Sequence, residues 1–484
     1  MVVILQCSIF ATHLDKAYML DPSILREYDI RGVLGKTLSS RDAYLVGLGF
    51  GTLVLRSGGR VVATAYDGRL SSPELEHSLV QGLLETGADV YRLGLGPTPM
   101  LYHAVYTSGS DAGVMVTGSH NPPEYNGFKF TLSGQAFFGE SITSLGQVIA
   151  DRSFCDGKGE VAERPHVEEY VNALANVYKG RKDLSVVWDA GNGAAGDAIS
   201  TLIRSVPGRH YVLNESIDGT FPAHHPDPTV VENLNQLREK VLQEEADLGV
   251  AFDGDGDRIG VVDNKARVLW GDQILAVLAR DVLSEHPGCT VIADVKSSQM
   301  LFDEVSRLGG CPMMWQTGHS RIKSKMLETG ALLAGEMSGH IFFADHNYGY
   351  DDALYAAVRL INFLSARSGT LSDLLDSLPA LYNTPEIRFP CPDERKFDVI
   401  NEVRERVEKI SSDLVTIDGV RVTERGGWWL LRASNTQPVL VARIEAEDSS
   451  TLRILCANLV DQLMASGVEV PEGLSGLSVS NTPC

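Results

Sequence analysis

No two cysteines in this chain are spaced Cys-x-x-Cys, and the seven present (Cys7, Cys155, Cys289, Cys311, Cys391, Cys456, Cys484) are scattered and odd in number. That excludes a disulfide framework and a cysteine-ligated zinc site, and it fits reduced thiols in cytosol. Basic residues are outnumbered: 42 Lys and Arg against 63 Asp and Glu leave a net charge of −21. Nucleic-acid binding depends on basic surface and is not expected. An anionic small molecule would need a local basic pocket set into this acidic body. No stretch approaches the ~20 consecutive apolar residues of a membrane span. Residues 1–11 are mildly apolar but lack the basic flank of a signal peptide. We therefore expect a cytoplasmic protein that engages neither nucleic acid nor membrane, with residues 1–20 an extension outside the fold.

The remainder reads as an ordinary globular protein of 484 residues, 44% hydrophobic and 22% charged, long enough for several domains. One stretch organises it. An apolar strand over residues 112–116 feeds Thr117-Gly118-Ser119-His120-Asn121-Pro122-Pro123-Glu124-Tyr125-Asn126-Gly127-Phe128-Lys129. Two prolines flanked by Gly and Asn break both helix and ladder. A hydroxyl, an imidazole, an amide and an ammonium are thereby held on a stiffened loop at a strand end, where chemistry is usually placed.

A strand, short turn, helix, strand unit appears three times: from residue 61 through Asp67, from 184 through Asp189, and from 290 through Asp294. In the first, Ser72 reads as the helix N-cap with Pro73 at the first helical position. Repeated units of this kind predict right-handed crossovers in largely parallel sheets. After residue 381 short strands, an Asp418-Gly419 hairpin signal and two helices predict a different, antiparallel α+β unit. The expected fold class is α/β: three similar mixed or parallel-sheet domains plus a smaller C-terminal α+β domain. The expected boundaries are 21–164, 165–267, 268–380 and 381–484.

Three further loops carry chemistry. Asp253-Gly254-Asp255-Gly256-Asp257-Arg258 lies between two apolar strands, and its glycines let three carboxylates converge, which a cation would make tolerable. It is not an EF-hand, because Arg258 stands where Gly is required and Asn264 where Glu is required; a hard, oxygen-bound ion such as Mg2+ suits it. Gly335-Glu336-Met337-Ser338-Gly339-His340 reads, taken alone, either as a plain turn or as a carboxylate and a hydroxyl for vicinal sugar hydroxyls. Arg432-Ala433-Ser434-Asn435-Thr436-Gln437-Pro438 reads, taken alone, either as a polar hairpin turn or as an arginine beside small polar residues whose amides form an anion nest. His319 ends a strand of the third unit as a candidate acid or base. A rival reading comes from Gly191-Asn192-Gly193-Ala194-Ala195-Gly196, which matches G-x-G-x-x-G, with Glu215 placed to bind a ribose as in an NAD-dependent oxidoreductase. That reading leaves the serine and acidic loops without purpose, whereas tight strand-to-helix packing explains the same glycines.

Together, Thr-Gly-Ser-His-Asn-Pro-Pro, Asp-Gly-Asp-Gly-Asp-Arg, Gly-Glu-Met-Ser-Gly-His and Arg-Ala-Ser-Asn-Thr, one per domain and in this order, resemble the α-D-phosphohexomutase superfamily. The resemblance runs from Arg26-Glu27-Tyr28-Asp29-Ile30-Arg31-Gly32 to the last helix and implies that the four domains surround a central cleft. It implies that Ser119 is a phosphoserine and that Asp253, Asp255 and Asp257 bind Mg2+ together with its phosphate. It places Arg258 on that phosphate and Arg31, Lys129 and His319 around the transferring group. Glu336 and Ser338 would hold sugar hydroxyls, and Arg432, Ser434, Asn435 and Thr436 the substrate's own phosphate, with Tyr28, Lys296 and His340 lining the cleft. The Glu-Met-Ser sugar loop is similar to that of phosphomannomutase/phosphoglucomutase members; phosphoglucosamine mutases more often carry Gln before that Ser. The implied activity is reversible interconversion of hexose 1-phosphate and hexose 6-phosphate, of mannose and glucose, through a hexose 1,6-bisphosphate that also serves as activator. The partners expected are small hexose phosphates, and the chain a monomer or weak dimer. A non-catalytic sugar-phosphate sensor would need degraded motif positions, and none is visible.

Overall fold

The computed structural model describes residues 18–409, 413–435, 437–470 and 474. Four sheets follow one another along the chain. In the first, the strands Val61–Tyr66, Asp89–Leu95, Ala112–Val116 and Val161–Glu163 run parallel, and Tyr125–Leu132 turns back antiparallel to Ala112–Val116. The second repeats the plan with Leu184–Asp189, Gly208–Leu213 and Leu248–Phe252 parallel and Ile259–Asp263 returning antiparallel. The third has Thr290–Asp294, Cys311–Trp315 and Leu333–Gly335 parallel, with Ile341–Phe343 returning. The last sheet is antiparallel throughout its ladder of Tyr382–Asn383, Val439–Ala446, Gly427–Ala433, Val420–Glu424 and Leu414–Val415. The fold is therefore three similar α/β units and a smaller α+β unit.

The repeat fixes where the loops fall. In each α/β unit the parallel strand beside the first one reverses into an antiparallel neighbour, and the reversal is the serine loop, the aspartate loop and the sugar loop in turn. The three aspartates at matching strand ends are buried and accept hydrogen bonds from the turns beside them, and Asp67 holds the serine loop as well. Asp67 Oδ2 accepts from Thr117 Oγ1 at 2.8 Å and Gly118 N at 3.1 Å, and Asp189 Oδ1 accepts from Gly191 N at 3.0 Å. Asp294 accepts from Ser297 Oγ at 2.9 Å. This alters one expectation. Ser71, not Ser72, occupies the N-cap of the helix Ser72–Thr86. Ser72 Oγ donates to Asp67 at 2.5 Å instead, so its hydroxyl serves the tether rather than the helix end.

A single buried apolar cluster runs through the three α/β units, joined by helices Val167–Val177, Gly271–Glu285 and Ala353–Ser365. The first unit adds a cluster of its own where helices Ser40–Arg56 and Ser72–Thr86 meet. A side chain at Gly47 would place its Cβ 2.2 Å from Leu79 O, so the close approach of these two helices requires glycine. The last unit has a separate core and grips the third by polar contacts, among them Arg421 donating to Val295 O and Ser297 O at 2.7 Å each. Among the described residues no helix is long and apolar enough to cross a membrane.

Candidate functional site

The loop ends converge on one cleft of about 200 Å³. Its lining includes Tyr28, Arg31, Ser119, Lys129, Arg258, Lys296, His319, Glu336, Ser338, His340, Arg432, Ser434 and Asn435, drawn from all four units. Thr436 lies outside the described residues. The wall is strongly cationic although the chain as a whole is anionic, which is the local basic pocket that an anionic ligand would require.

Ser119 is buried, with φ +48°, a left-handed conformation uncommon for a residue bearing Cβ. That turn brings its Oγ within 3.1 Å of His120 Nδ1 and lets it donate to Asp253 Oδ2 at 2.8 Å, across the boundary between the first two units. The strain is held by Arg69, which sequence reading did not single out. Its buried guanidinium donates to four backbone carbonyls of the loop: Pro122 at 2.6 Å, Tyr125 at 2.9 Å, Ser119 at 2.7 Å and Asn121 at 2.6 Å. Its Nε lies 3.2 Å from Asp67 Oδ2. Arg69→Met would leave Asp67 without its cation and four carbonyls without donors. We expect it to destabilise the loop by about 3–5 kcal/mol, the usual result of removing one member of a buried pair, seen as a lower melting temperature. An unchanged melt would show that the loop holds its shape without Arg69.

The three carboxylates of the second loop are fully buried, and one oxygen from each lies within 4.8 Å of the others. Asp253 Oδ1 accepts from the amides of Asp257 (3.1 Å) and Arg258 (3.2 Å). Asp255 Oδ2 accepts from Thr98 Oγ1 at 2.5 Å and from Lys129 Nζ at 2.7 Å, and Asp257 Oδ2 accepts from Lys129 Nζ at 2.5 Å. Burial and the neighbouring carboxylates push Asp253 well above the usual range. Burial would also raise Asp255, but the Lys129 ammonium holds it low. Asp255 Oδ1 and Asp257 Oδ1 are buried with no hydrogen-bond partner. Orphaned oxygens in an all-carboxylate set fit a hard divalent cation. Gly254 is needed for close approach, since a Cβ there would sit 2.4 Å from Ser119 O, and a Cβ at Gly193 in the neighbouring 191–196 turn would lie 2.9 Å from Gly254 O. The G-x-G-x-x-G turn is thus packed against the aspartate loop, where a dinucleotide's phosphates would have to lie.

Beside these, Arg258 Nε donates to His340 Nε2 at 3.1 Å, and His340 Nδ1 lies 3.0 Å from Asp351 Oδ2. Asp351 also takes Lys323 Nζ at 2.9 Å and lies 3.6 Å from His319 Nδ1. The two imidazoles stack with centroids 5.3 Å apart. Burial pushes His319 and His120 well below the ordinary histidine range, so both are neutral bases at pH 7. Three buried polar atoms without hydrogen-bond partners gather here, Asp255 Oδ1, Asp257 Oδ1 and His319 Nδ1, while His340 Nδ1 and Asp351 Oδ2 have only their 3.0 Å ionic contact with each other. Such a concentration is expected where a ligand completes the network.

The far wall belongs to the third and fourth units. Glu336 accepts from Gly318 N at 2.7 Å and is raised by burial, while Ser338 lines the cleft beside it. Lys296 pairs with Glu386 at 3.0 Å. Arg432 is buried and braced by Asp418 at 3.0 Å, whose Oδ2 also accepts from Thr317 N at 3.0 Å. Tyr28 OH joins three units by donating to Thr317 O and accepting from Asn435 Nδ2, each at 3.0 Å; burial lifts the phenol to about 12. Arg31 pairs with Asp29 at 2.5 Å. Beneath the nest, buried Lys396 donates to Ser434 O (2.6 Å) and Gln437 O (3.1 Å), a support that no local pattern announces.

Four family models match the chain in order: the alpha/beta/alpha domains I (residues 22–154), II (168–267) and III (270–382) and the C-terminal domain (386–462) of phosphoglucomutase/phosphomannomutase. Phosphomannomutase/phosphoglucomutase from Pseudomonas aeruginosa is 43% identical over 456 residues, 94% of this chain and 98% of that protein. Phosphoglucomutase from Neisseria meningitidis serogroup A is 42% identical over 433 residues, 89% and 94% of the two chains. The crystal structure of a phosphoglucomutase/phosphomannomutase family protein from Burkholderia thailandensis superimposes with a TM-score of 0.89 at 41% identity, covering 94% of this chain and 99% of that one.

Proposed function

The chain belongs to the phosphoglucomutase/phosphomannomutase family, and from that premise we propose that it interconverts hexose 1-phosphates and hexose 6-phosphates of mannose and glucose through a phosphoserine at Ser119. The observation that carries this reading is the 2.8 Å contact of Ser119 Oγ with Asp253, which joins a nucleophile from one unit to an acidic triad from the next.

Phospho-Ser119 donates to the free hydroxyl of a hexose monophosphate: the Oγ–P bond breaks, a bond from phosphorus to the sugar oxygen forms, the hydroxyl proton passes to a base lining the cleft, and the departing Ser119 Oγ takes up a proton in exchange. The resulting hexose 1,6-bisphosphate turns over and returns its other phosphate to Ser119, regenerating the enzyme. Transfer of this kind asks the protein mainly for placement and charge neutralisation. Arg31, Lys129 and Arg258 supply positive charge around the transferring group. Asp253, Asp255 and Asp257 would hold Mg2+, whose chemistry is neutralisation of developing charge on the phosphoryl oxygens. Glu336 and Ser338 read sugar hydroxyls, and Arg432, Ser434 and Asn435 receive the resting phosphate. A site blind to exchange of the two sugar ends has little to say about O2, the centre that separates mannose from glucose, hence two substrates. Turnover measured side by side on mannose, glucose and glucosamine phosphates tests this. Activity on the first two is expected, and activity confined to glucosamine phosphate would overturn it.

Arg432→Ala is expected to raise KM for the monophosphate by ~10–100-fold with kcat little changed, because a charge-assisted contact to the resting phosphate serves ground and transition states alike. A defect confined to kcat would contradict its placement.

A further inference from the structure

We propose that Glu285, His286, Asp345 and His346 form a second metal site, outside the cleft, for a divalent transition-metal ion such as Zn2+. Helix Gly271–Glu285 ends at Glu285, and His286 follows as its C-cap. The chain leaving strand Ile341–Phe343 lays Asp345 and His346 alongside that end. One donor atom from each of the four lies within 4.8 Å of all the others. His346 Nε2 stands 3.2 Å from Glu285 Oε2, and the two imidazole centroids are 6.0 Å apart.

Two observations point to a ligand. His286 Nε2 is buried with no hydrogen-bond partner, a state that proteins avoid unless something else fills the position. The surrounding charge is also unbalanced. Arg359 is shared between Asp345 (2.7 Å) and Asp281 (2.7 Å), leaving Glu285 a further carboxylate beside them. A cation at the centre of the four side chains would answer both.

Donor type selects the ion. Mg2+ and Ca2+ take oxygen, as the Asp253–Asp257 loop offers, whereas two imidazoles with two carboxylates suit Zn2+ and its first-row neighbours. Tetrahedral zinc with bonds near 2.0–2.1 Å needs donors roughly 3.3 Å apart. Glu285 and His346 are exposed, so their side chains can shift to close that gap. The site would tie the end of helix Gly271–Glu285 to the segment that leads into Asp351, which braces His319 and His340 in the cleft.

The test is calorimetric titration of the full-length protein with Zn2+ in excess Mg2+, followed by the visible absorption of the Co2+ form. We expect one Zn2+ per chain that Mg2+ does not displace and a Co2+ spectrum of nitrogen-containing coordination. His286→Ala with His346→Ala should lose both, with unchanged circular dichroism. His346→Gln, at an exposed position, should weaken Zn2+ by at least about tenfold. Absence of Zn2+ binding by the unsubstituted chain in excess Mg2+, or the same affinity in His346→Gln, would overturn the proposal. The outcome is independent of which hexose phosphates the cleft converts.

Discussion

Ser119→Ala is expected to lower mutase turnover by ~10^4-fold or more in a coupled assay started from mannose 1-phosphate, because no other atom can carry the phosphoryl group between the two half-reactions. The substitution is well suited to separate chemistry from folding. Arg69 grips the loop through backbone carbonyls, and Asp67 through Thr117 Oγ1 and Gly118 N, so none of these bonds involves Ser119 Oγ. The melting temperature should therefore stay close to that of the unsubstituted protein. Intact mass supplies a second readout. The unsubstituted chain should gain one phosphate from hexose 1,6-bisphosphate and lose it to a monophosphate, and the alanine variant should do neither. Near-normal turnover in the variant would refute the phosphoserine mechanism, and a chain that binds hexose phosphates without ever exchanging a phosphate would be a sensor.

The loops were legible in the sequence because turns that need Gly, Pro, Asn and Asp announce themselves locally, and the apolar strands on either side place them at sheet ends. The threefold repeat was legible for the same reason, and it located Asp67, Asp189 and Asp294 without disclosing that each braces the turn beside it and that Asp67 also holds the serine loop. Ser72 was misassigned because Ser-Pro looks like a cap wherever it occurs; only the fold shows that Asp67 competes for the hydroxyl. Arg69, Thr98, Asp351 and Lys396 are announced by no local motif. Each is a common polar residue whose partners lie far along the chain or on another unit, such as Thr98 on Asp255 and Lys396 on Ser434. Asp351 follows Gly349-Tyr350 and precedes Asp352, so it reads as a solvated acidic turn, yet it is fully buried. One signal was available: charged residues beside a functional loop or within an apolar context are poor candidates for solvent unless a partner is found.

Asp351→Asn should be nearly as damaging as loss of the serine, with kcat lower by ~10^2–10^4-fold and KM for hexose phosphate little altered. The carboxylate stands at the centre of a chain of contacts. Its Oδ1 takes the Lys323 ammonium at 2.9 Å, and its Oδ2 lies 3.0 Å from His340 Nδ1. Burial would raise its proton affinity, but Lys323 and the two imidazoles hold Asp351 well below the usual carboxylate range, so it is anionic throughout the working pH range. With Nδ1–H facing an anion, His340 Nε2 is left to accept from Arg258 Nε, and that bond aims the guanidinium into the cleft. An asparagine of the same shape removes the charge and presents an amide that can donate as well as accept. His340 is then free to take the other tautomer, which would set Nε2–H against Arg258 Nε–H. Lys323, half-buried beside Tyr102 at 3.3 Å, would lose its anion as well. Because neither Asp351 nor Lys323 lines the cleft, binding of the monophosphate should survive while phosphoryl transfer fails. Rapid-quench measurement of the first transfer from phosphorylated enzyme distinguishes this from slow product release. A normal transfer rate in Asp351→Asn would mean that Arg258 is aimed by something other than the imidazole.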